Sequence, residues 1–450
     1  MRYVSTRGGA PAGEFADVLL QGLAPDGGLY VPAEIPRLAS LPEGYASAVA
    51  EVVRPFVEPD PLATDITDIA ADVYGRFRHP EVAPLTRIRD GLYLLELFWG
   101  PTLSFKDYAL QLVGPLFQRV LEREGRHLLV LGATSGDTGS AAIEGCRGLP
   151  GIDIVILYPD GAVSEVQRRQ MTTVPDDNVH AVAVRGTFDD CQRLVKQAFT
   201  TLGDRFPLGA VNSINWARIV AQSAYYAHTA QRLDEPVRFV VPTGNFGNVF
   251  AGHLARRMGA AISGLVVANN ANHGLADLVA TGTLRVETVE HTVAPAMDIQ
   301  VPSNLERYLY EAVGESGGTI REMQDVLARR GVLQLPAEVH ARLREAFEAG
   351  WLDDDAIVAT IRRVHEERGI LLDPHTATAW AIAEQEPTSG PTVIIGTAHP
   401  AKFPEVVEKA TGIAPELPED LAGLLTAPER IRRIDPDADA LADLLDSVVS

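Results

Sequence analysis

Apolar runs of strand length alternate with helical patterns along most of this chain, and several runs end in a turn rich in Gly, Ser, Thr and Asn. Residues 127–131, 152–157, 179–184, 237–241, 262–268 and 392–395 read as buried strands. Helical patterns lie between them, such as 188–202 with Leu194, Val195, Ala198 and Phe199 at helical spacing. Strands separated by helices build βαβ units and a mostly parallel α/β sheet. Ligands in such folds sit beyond the carboxyl ends of the strands, where the Gly-rich turns of this chain fall. At 450 residues the length suits two large domains or about three ordinary ones. The first hundred residues or so are punctuated by Gly and Pro and read as short helices and turns that cap a larger body. Residues 303–370 read as mostly helical, and the last forty or so as an acidic, helical tail on the outside.

Charge narrows the partners. Sixty acidic and 39 basic side chains leave a formal net charge of −21. Such a surface repels nucleic acid and anionic membrane, so neither is an expected partner. A small anionic ligand needs a local positive pocket, which helix N-termini can supply. Cys146 and Cys191 make no disulfide framework and no CxxC site, and the 11 histidines make no HExxH spacing, so no metal is expected. No apolar run approaches the ~18 residues of a membrane span, and the N-terminus lacks a signal-peptide core. A soluble protein of the reduced cytoplasm is the expectation.

Of the 39 basic residues only four are lysines: Lys106, Lys196, Lys402 and Lys409. A primary amine forms a Schiff base with an aldehyde, which a guanidinium does not. Lys106 lies in Pro101-Thr-Leu-Ser-Phe-Lys-Asp-Tyr108, ahead of apolar residues at helical spacing. Ser104 and Asp107 suggest an S-x-x-D cap that places Lys106 in the first helical turn. Helix dipole and burial would both favour its neutral amine. Gly114-Pro115 suggests a kink or break further along. Two loops could hold anions: Thr134-Ser-Gly-Asp-Thr-Gly139 and Gly244-Asn-Phe-Gly-Asn248, each after a strand and before a helix. Read singly, the lysine suits an ordinary amphipathic helix and each loop a turn that is Gly-rich for steric reasons. Together they describe a site. Gly314-Glu-Ser-Gly-Gly318 matches G-x-S-x-G, but it follows a helical stretch rather than a strand, which argues against a serine hydrolase. His399 reads as a hydrogen-bonding turn residue.

These segments resemble the threonine synthase family. Phe98-Trp-Gly-Pro-Thr-Leu-Ser-Phe-Lys-Asp107 is similar to its pyridoxal-phosphate lysine segment, and Leu131-Gly-Ala-Thr-Ser-Gly-Asp-Thr-Gly-Ser-Ala-Ala142 to its substrate-carboxylate loop. Pro242-Thr-Gly-Asn-Phe-Gly-Asn248 resembles its cofactor-phosphate loop, and Gly396-Thr-Ala-His-Pro-Ala-Lys-Phe403 the turn facing the pyridine nitrogen. Tyr3-Val-Ser-Thr-Arg-Gly8 and the segment 21–32 also match. The resemblance implies two mostly parallel-sheet α/β domains of the fold type II pyridoxal-phosphate kind, with an irregular N-terminal extension and the cofactor in the cleft between. Its expected divisions are an extension at 1–90, a first domain at 91–235, a second at 236–412 with a helical insertion near 303–370, and a tail at 413–450.

The resemblance implies the cofactor pyridoxal 5′-phosphate, the substrate O-phospho-L-homoserine and the products L-threonine and phosphate. Lys106 would hold the cofactor and then act as general acid and base. Gly244, Asn245, Phe246 and Gly247 would bind the cofactor phosphate, and Thr397 the pyridine nitrogen. Thr134, Ser135 and Thr138 would bind the substrate carboxylate. Asp137 stands where relatives in the wider fold carry Asn near the cofactor's 3′-oxygen, so it belongs to the site without a fixed role. Lys402, Ser164, Arg168 and Arg169 are the candidates for the leaving phosphate. A related lyase (threonine or serine dehydratase, or another phospholyase) and a non-catalytic binding protein stay open as alternatives. So do a monomer and a homodimer.

Overall fold

The computed structural model describes residues 1–203, 205–385 and 390–449. Two parallel sheets organise the chain. The larger has six strands, in the order Glu348–Trp351, Ile262–Asn269, Val237–Pro242, Thr392–Gly396, Leu92–Glu96 and Leu85–Arg89. Only the last of these pairs antiparallel. The smaller has five parallel strands, in the order Arg432–Ile434, Val179–Val184, Ile152–Pro159, Leu128–Ala133 and Leu208–Gly209. The chain is thus α/β, as its alternating pattern predicts.

The strands do not divide between the sheets at residue 235, as sequence order suggested. Leu92–Glu96 precedes Lys106 yet pairs with Thr392–Gly396 in the larger sheet. The tail likewise contributes Arg432–Ile434 to the edge of the smaller sheet. Its helix, Ala438–Val449, buries Leu441, Leu444 and Leu445 against Cys191, Leu194 and Ala198. Within 303–370 the helices Leu305–Ala312, Gly317–Arg330, Ala337–Ala346 and Asp354–Arg368 are interrupted by the edge strand Glu348–Trp351.

Helix Trp216–Gln231 is buried on every side from Trp216 to Ala230. An all-round apolar helix belongs in a molecular centre, and this one contacts helices Tyr45–Val57, Asp107–Glu124 and Gly247–Met258. Helix Asp107–Glu124 runs through Pro115 without a break, contrary to the break suggested by Gly114-Pro115. Gly114 has a packing reason instead. A Cβ there would stand 1.7 Å from the carbonyl oxygen of Gly145. The two helices meet backbone to backbone, which fixes the Lys106 helix against Asp137–Cys146, the helix that opens with Asp137.

Candidate active site

Lys106 is itself the N-cap of Asp107–Glu124. The Ser104 cap does not form, and the buried Ser104 hydroxyl has no partner among the described residues. The reason is Asp107, whose carboxylate turns back to accept from the Thr102 N–H (2.8 Å) and hydroxyl (2.7 Å). That closes a tight turn around Leu103, held at φ 63° with its side chain fully buried. A bulky residue in this left-handed region is strained and persists only where its surroundings over-determine it. Lys106 follows this turn and is buried, 9 % exposed.

The Lys106 Nζ lies 3.3 Å from Asp137 Oδ2 and 4.7 Å from the centre of the Phe105 ring. Burial pushes the amine's pKa below its ordinary value; Asp137 opposes the shift and Lys402 adds to it. Lys402 is fully buried, 2.8 Å from Asp137 Oδ1, and donates to the Thr102 carbonyl at 2.7 Å. Gln167 donates to Asp137 Oδ1 at 2.8 Å. Burial would raise the Asp137 carboxyl, but Lys402 and Lys106 together hold it well below the usual carboxylate range. It is an anion in this site.

The Gly244 and Thr397 loops follow the ends of two neighbouring strands of the larger sheet, and the Thr134 loop follows a strand of the smaller one. Val237–Pro242 leads into Gly244-Asn-Phe-Gly247, where Phe246 sits at φ 63° as the N-cap of Gly247–Met258. A Cβ on Gly244 would stand 2.5 Å from the Ala296 carbonyl, so the backbone passes too close for a side chain. Among the described residues no acceptor takes the N–H groups of Gly244, Asn245, Phe246 and Gly247. Thr397 follows strand Thr392–Gly396; its buried hydroxyl has no partner among the described residues, and its carbonyl accepts from the Phe105 N–H at 2.9 Å. In the loop after Leu128–Ala133, the Thr134 hydroxyl accepts from Gly136 (3.0 Å) and Gly139 (2.9 Å), while Ser135 and Thr138 are half-buried.

The four candidates for the leaving phosphate are otherwise engaged. Lys402 is closed in by Asp137 and Thr102. Ser164 donates to the Lys402 carbonyl at 3.0 Å and caps helix Glu165–Thr172. Arg168 pairs with Glu429, and Arg169 with Glu165 at 3.0 Å. A buried cation with no ion pair among the described residues is Arg218, which sequence reasoning missed. It is 3 % exposed and donates to the Val211 carbonyl at 3.0 Å. Its Nε has no partner, and no carboxylate among the described residues pairs with it. Its charge acts on Lys106, and burial presses its own pKa down to about 10. The signal was present: Arg218 is the one charged side chain between Trp216 and Ala230. Ser316 of the G-x-S-x-G match caps helix Gly317–Arg330, and His399 accepts from Ala401 N–H at 3.2 Å.

A depressed lysine, a row of unclaimed backbone N–H groups at a helix start and an orphaned threonine hydroxyl fit an aldehyde with a phosphate arm and a ring nitrogen. With this fold they define a pyridoxal-phosphate-dependent enzyme of fold type II. The sequence profile of pyridoxal-phosphate dependent enzymes matches residues 77–352, and those of the threonine synthase N terminus and C-terminal part match 2–74 and 376–445. A threonine synthase of Pseudomonas aeruginosa is 47% identical over 446 residues, covering 96% of this chain and 95% of its own. The crystal structure of pyridoxal-phosphate-bound threonine synthase from Brucella melitensis matches with a TM-score of 0.95 at 42% identity, covering 100% of this chain and 99% of that one. The threonine synthase of yeast matches with a TM-score of 0.93 at 34% identity, over 100% and 98%. The chain belongs to the threonine synthase family.

Proposed function

We propose that this chain converts O-phospho-L-homoserine and water to L-threonine and phosphate. The observation that carries the reading is the Lys106 amine, buried, depressed in pKa and held between Asp137 and the Thr397 turn. Lys106 holds the cofactor, while the N–H groups of Gly244 to Gly247 take its phosphate and the Thr397 hydroxyl its ring nitrogen. When bound, the cofactor supplies an electron sink for negative charge at the substrate Cα. Lys106, released by substrate, then moves protons at Cα and Cβ. The hydroxyls of Thr134, Ser135 and Thr138 receive the substrate carboxylate near the start of helix Asp137–Cys146. Arg218 receives the γ-phosphate, since it is a buried cation without a carboxylate. Lys402 serves as the standing counter-ion of Asp137, and Ser164 fixes the Lys402 backbone. Free, buried Cys146 and Cys191 suit a reducing, cytoplasmic setting.

The test is incubation of the holoenzyme with O-phospho-L-homoserine. Threonine and phosphate in equal amounts are expected. Phosphate with 2-oxobutyrate in place of threonine would overturn the reading.

A further inference from the structure

Behind the site lies one carboxylate that touches none of the groups named so far yet reaches three of them. Asp373 is 1 % exposed and precedes helix Pro374–Gln385. Its Oδ1 accepts from the His375 N–H and Nδ1, both at 2.9 Å, and its Oδ2 accepts from the Thr376 hydroxyl. Each of those neighbours carries the contact one step further. The Thr376 oxygen, its proton committed to Asp373, accepts the backbone N–H of Thr397 at 3.1 Å. The Thr397 carbonyl in turn accepts from Phe105, the residue before Lys106. On the other side His375 Nε2 accepts the Ala296 N–H at 3.2 Å, and the Ala296 carbonyl is the group that crowds Gly244.

The direction of every proton in this chain is fixed. Ala296 can only donate its N–H, so His375 Nε2 must carry a lone pair and Nδ1 the proton. That is the neutral tautomer a carboxylate partner selects. The Thr376 hydroxyl can accept from Thr397 only because its own proton has an acceptor in Asp373. An apolar group at Asp373 would free both to rotate.

We propose that Asp373 is a positioning residue, which through Thr376 and His375 sets the spacing between the Thr397 turn and the Gly244 loop. Resting on the reading above, those two segments grip opposite ends of the cofactor. A buried carboxylate saturated by hydrogen-bond donors is rigid. A shift of about 1 Å between binding groups is enough to cost roughly a hundredfold in function.

The experiment titrates pyridoxal phosphate into apo-protein and reads its dissociation constant from the visible band of the bound cofactor. The variants are Thr376→Val, which keeps the shape and removes the hydroxyl, and Thr376→Ser, which keeps the hydroxyl. Thr376→Val is expected to weaken cofactor binding at least tenfold and shift the band, while the apo-protein, though it melts lower for want of the hydroxyl, still unfolds cooperatively. Thr376→Ser is expected to restore binding to within about threefold of the parent. Asp373→Asn is expected to weaken binding in the same direction. Binding by Thr376→Val equal to that of the parent would overturn the proposal. So would a folded Thr376→Ser protein that binds the cofactor no more tightly than Thr376→Val, because the hydroxyl would then not be what sets the spacing. If Thr376→Val does not fold, His375→Gln, which keeps an acceptor for Ala296, must bind more tightly than His375→Leu, and equal affinities would refute the proposal. Because the readout is cofactor binding, it stands whether or not the parent turns over O-phospho-L-homoserine.

Discussion

Asp137 sits between the side-chain nitrogens of Lys106 and Lys402. Lys106 would be committed to holding the cofactor, which leaves Lys402 as the standing counter-ion of Asp137. Removing one member of a buried pair typically costs about 3–5 kcal/mol, because the survivor stays unpaired. Lys402→Met is therefore expected to lower the melting temperature and weaken the cofactor band. The pair Asp137→Asn/Lys402→Met is expected to regain most of the lost stability; a double variant no better than the single one would remove Lys402 from this role. Arg218→Met is expected to lower kcat/KM for O-phospho-L-homoserine by about 10- to 100-fold, the worth of a charge-assisted contact of ~1.5–3 kcal/mol, with cofactor binding retained. An unchanged kcat/KM would move the phosphate elsewhere. His399 carries a pH signature: burial lowers its pKa to about 4 in the folded chain, against 6.5 for an unburied imidazole. The unfolded chain then binds the extra proton first as pH falls, so this group destabilises the fold progressively from about pH 6.5 towards 4. His399→Asn, which keeps an N-cap acceptor, is expected to gain in melting temperature over the parent on acidification through that window. A difference constant with pH would contradict the assignment.

Among the elements, the legible ones were those whose own sequence carries a period. Strands Ile152–Pro159, Val179–Val184 and Ile262–Asn269 are near-continuous apolar runs, as buried parallel strands should be. Leu208–Gly209, Glu348–Trp351 and Arg432–Ile434 are short edges that only a partner strand defines, and nothing local marks them. The Gly-rich loops announced themselves by composition, because a backbone that closely approaches an anion tolerates no side chain. Gly114 was read as a weak point in its helix and is a contact instead. Gly114→Val is expected to force the helices apart from the Gly145 carbonyl and destabilise the protein by at least the ~1–3 kcal/mol of an overpacked core, seen as a lower melting temperature. Wild-type melting would mean that the close approach of 1.7 Å is readily relaxed.

Across the whole molecule, what the sequence concealed is what long-range pairing decides. Leu92 pairs with Thr392, and Lys402 meets Asp137. The sheet partner of the lysine segment thus comes from the far end of the chain. Arg218 was only half legible: a lone charge between Trp216 and Ala230 stands out in the sequence, but that no carboxylate among the described residues meets it is decided by the fold. The tail shows the converse, since its amphipathic pattern was readable but not the strand it adds. Ending the chain at residue 431 would remove Arg432–Ile434 and Ala438–Val449, uncovering the edge of Val179–Val184 and the apolar group around Leu194. An unpaired apolar edge invites association. The truncated chain is expected to melt lower and to aggregate, as light scattering would show; a monodisperse product with parental melting would assign the tail no structural role.

The proposed chemistry runs through one amine, that of Lys106. Reducing the holoenzyme with borohydride and mapping the pyridoxyl-labelled peptide tests it directly. The label is expected on Lys106. A label on Lys402, or on neither lysine, would contradict the account.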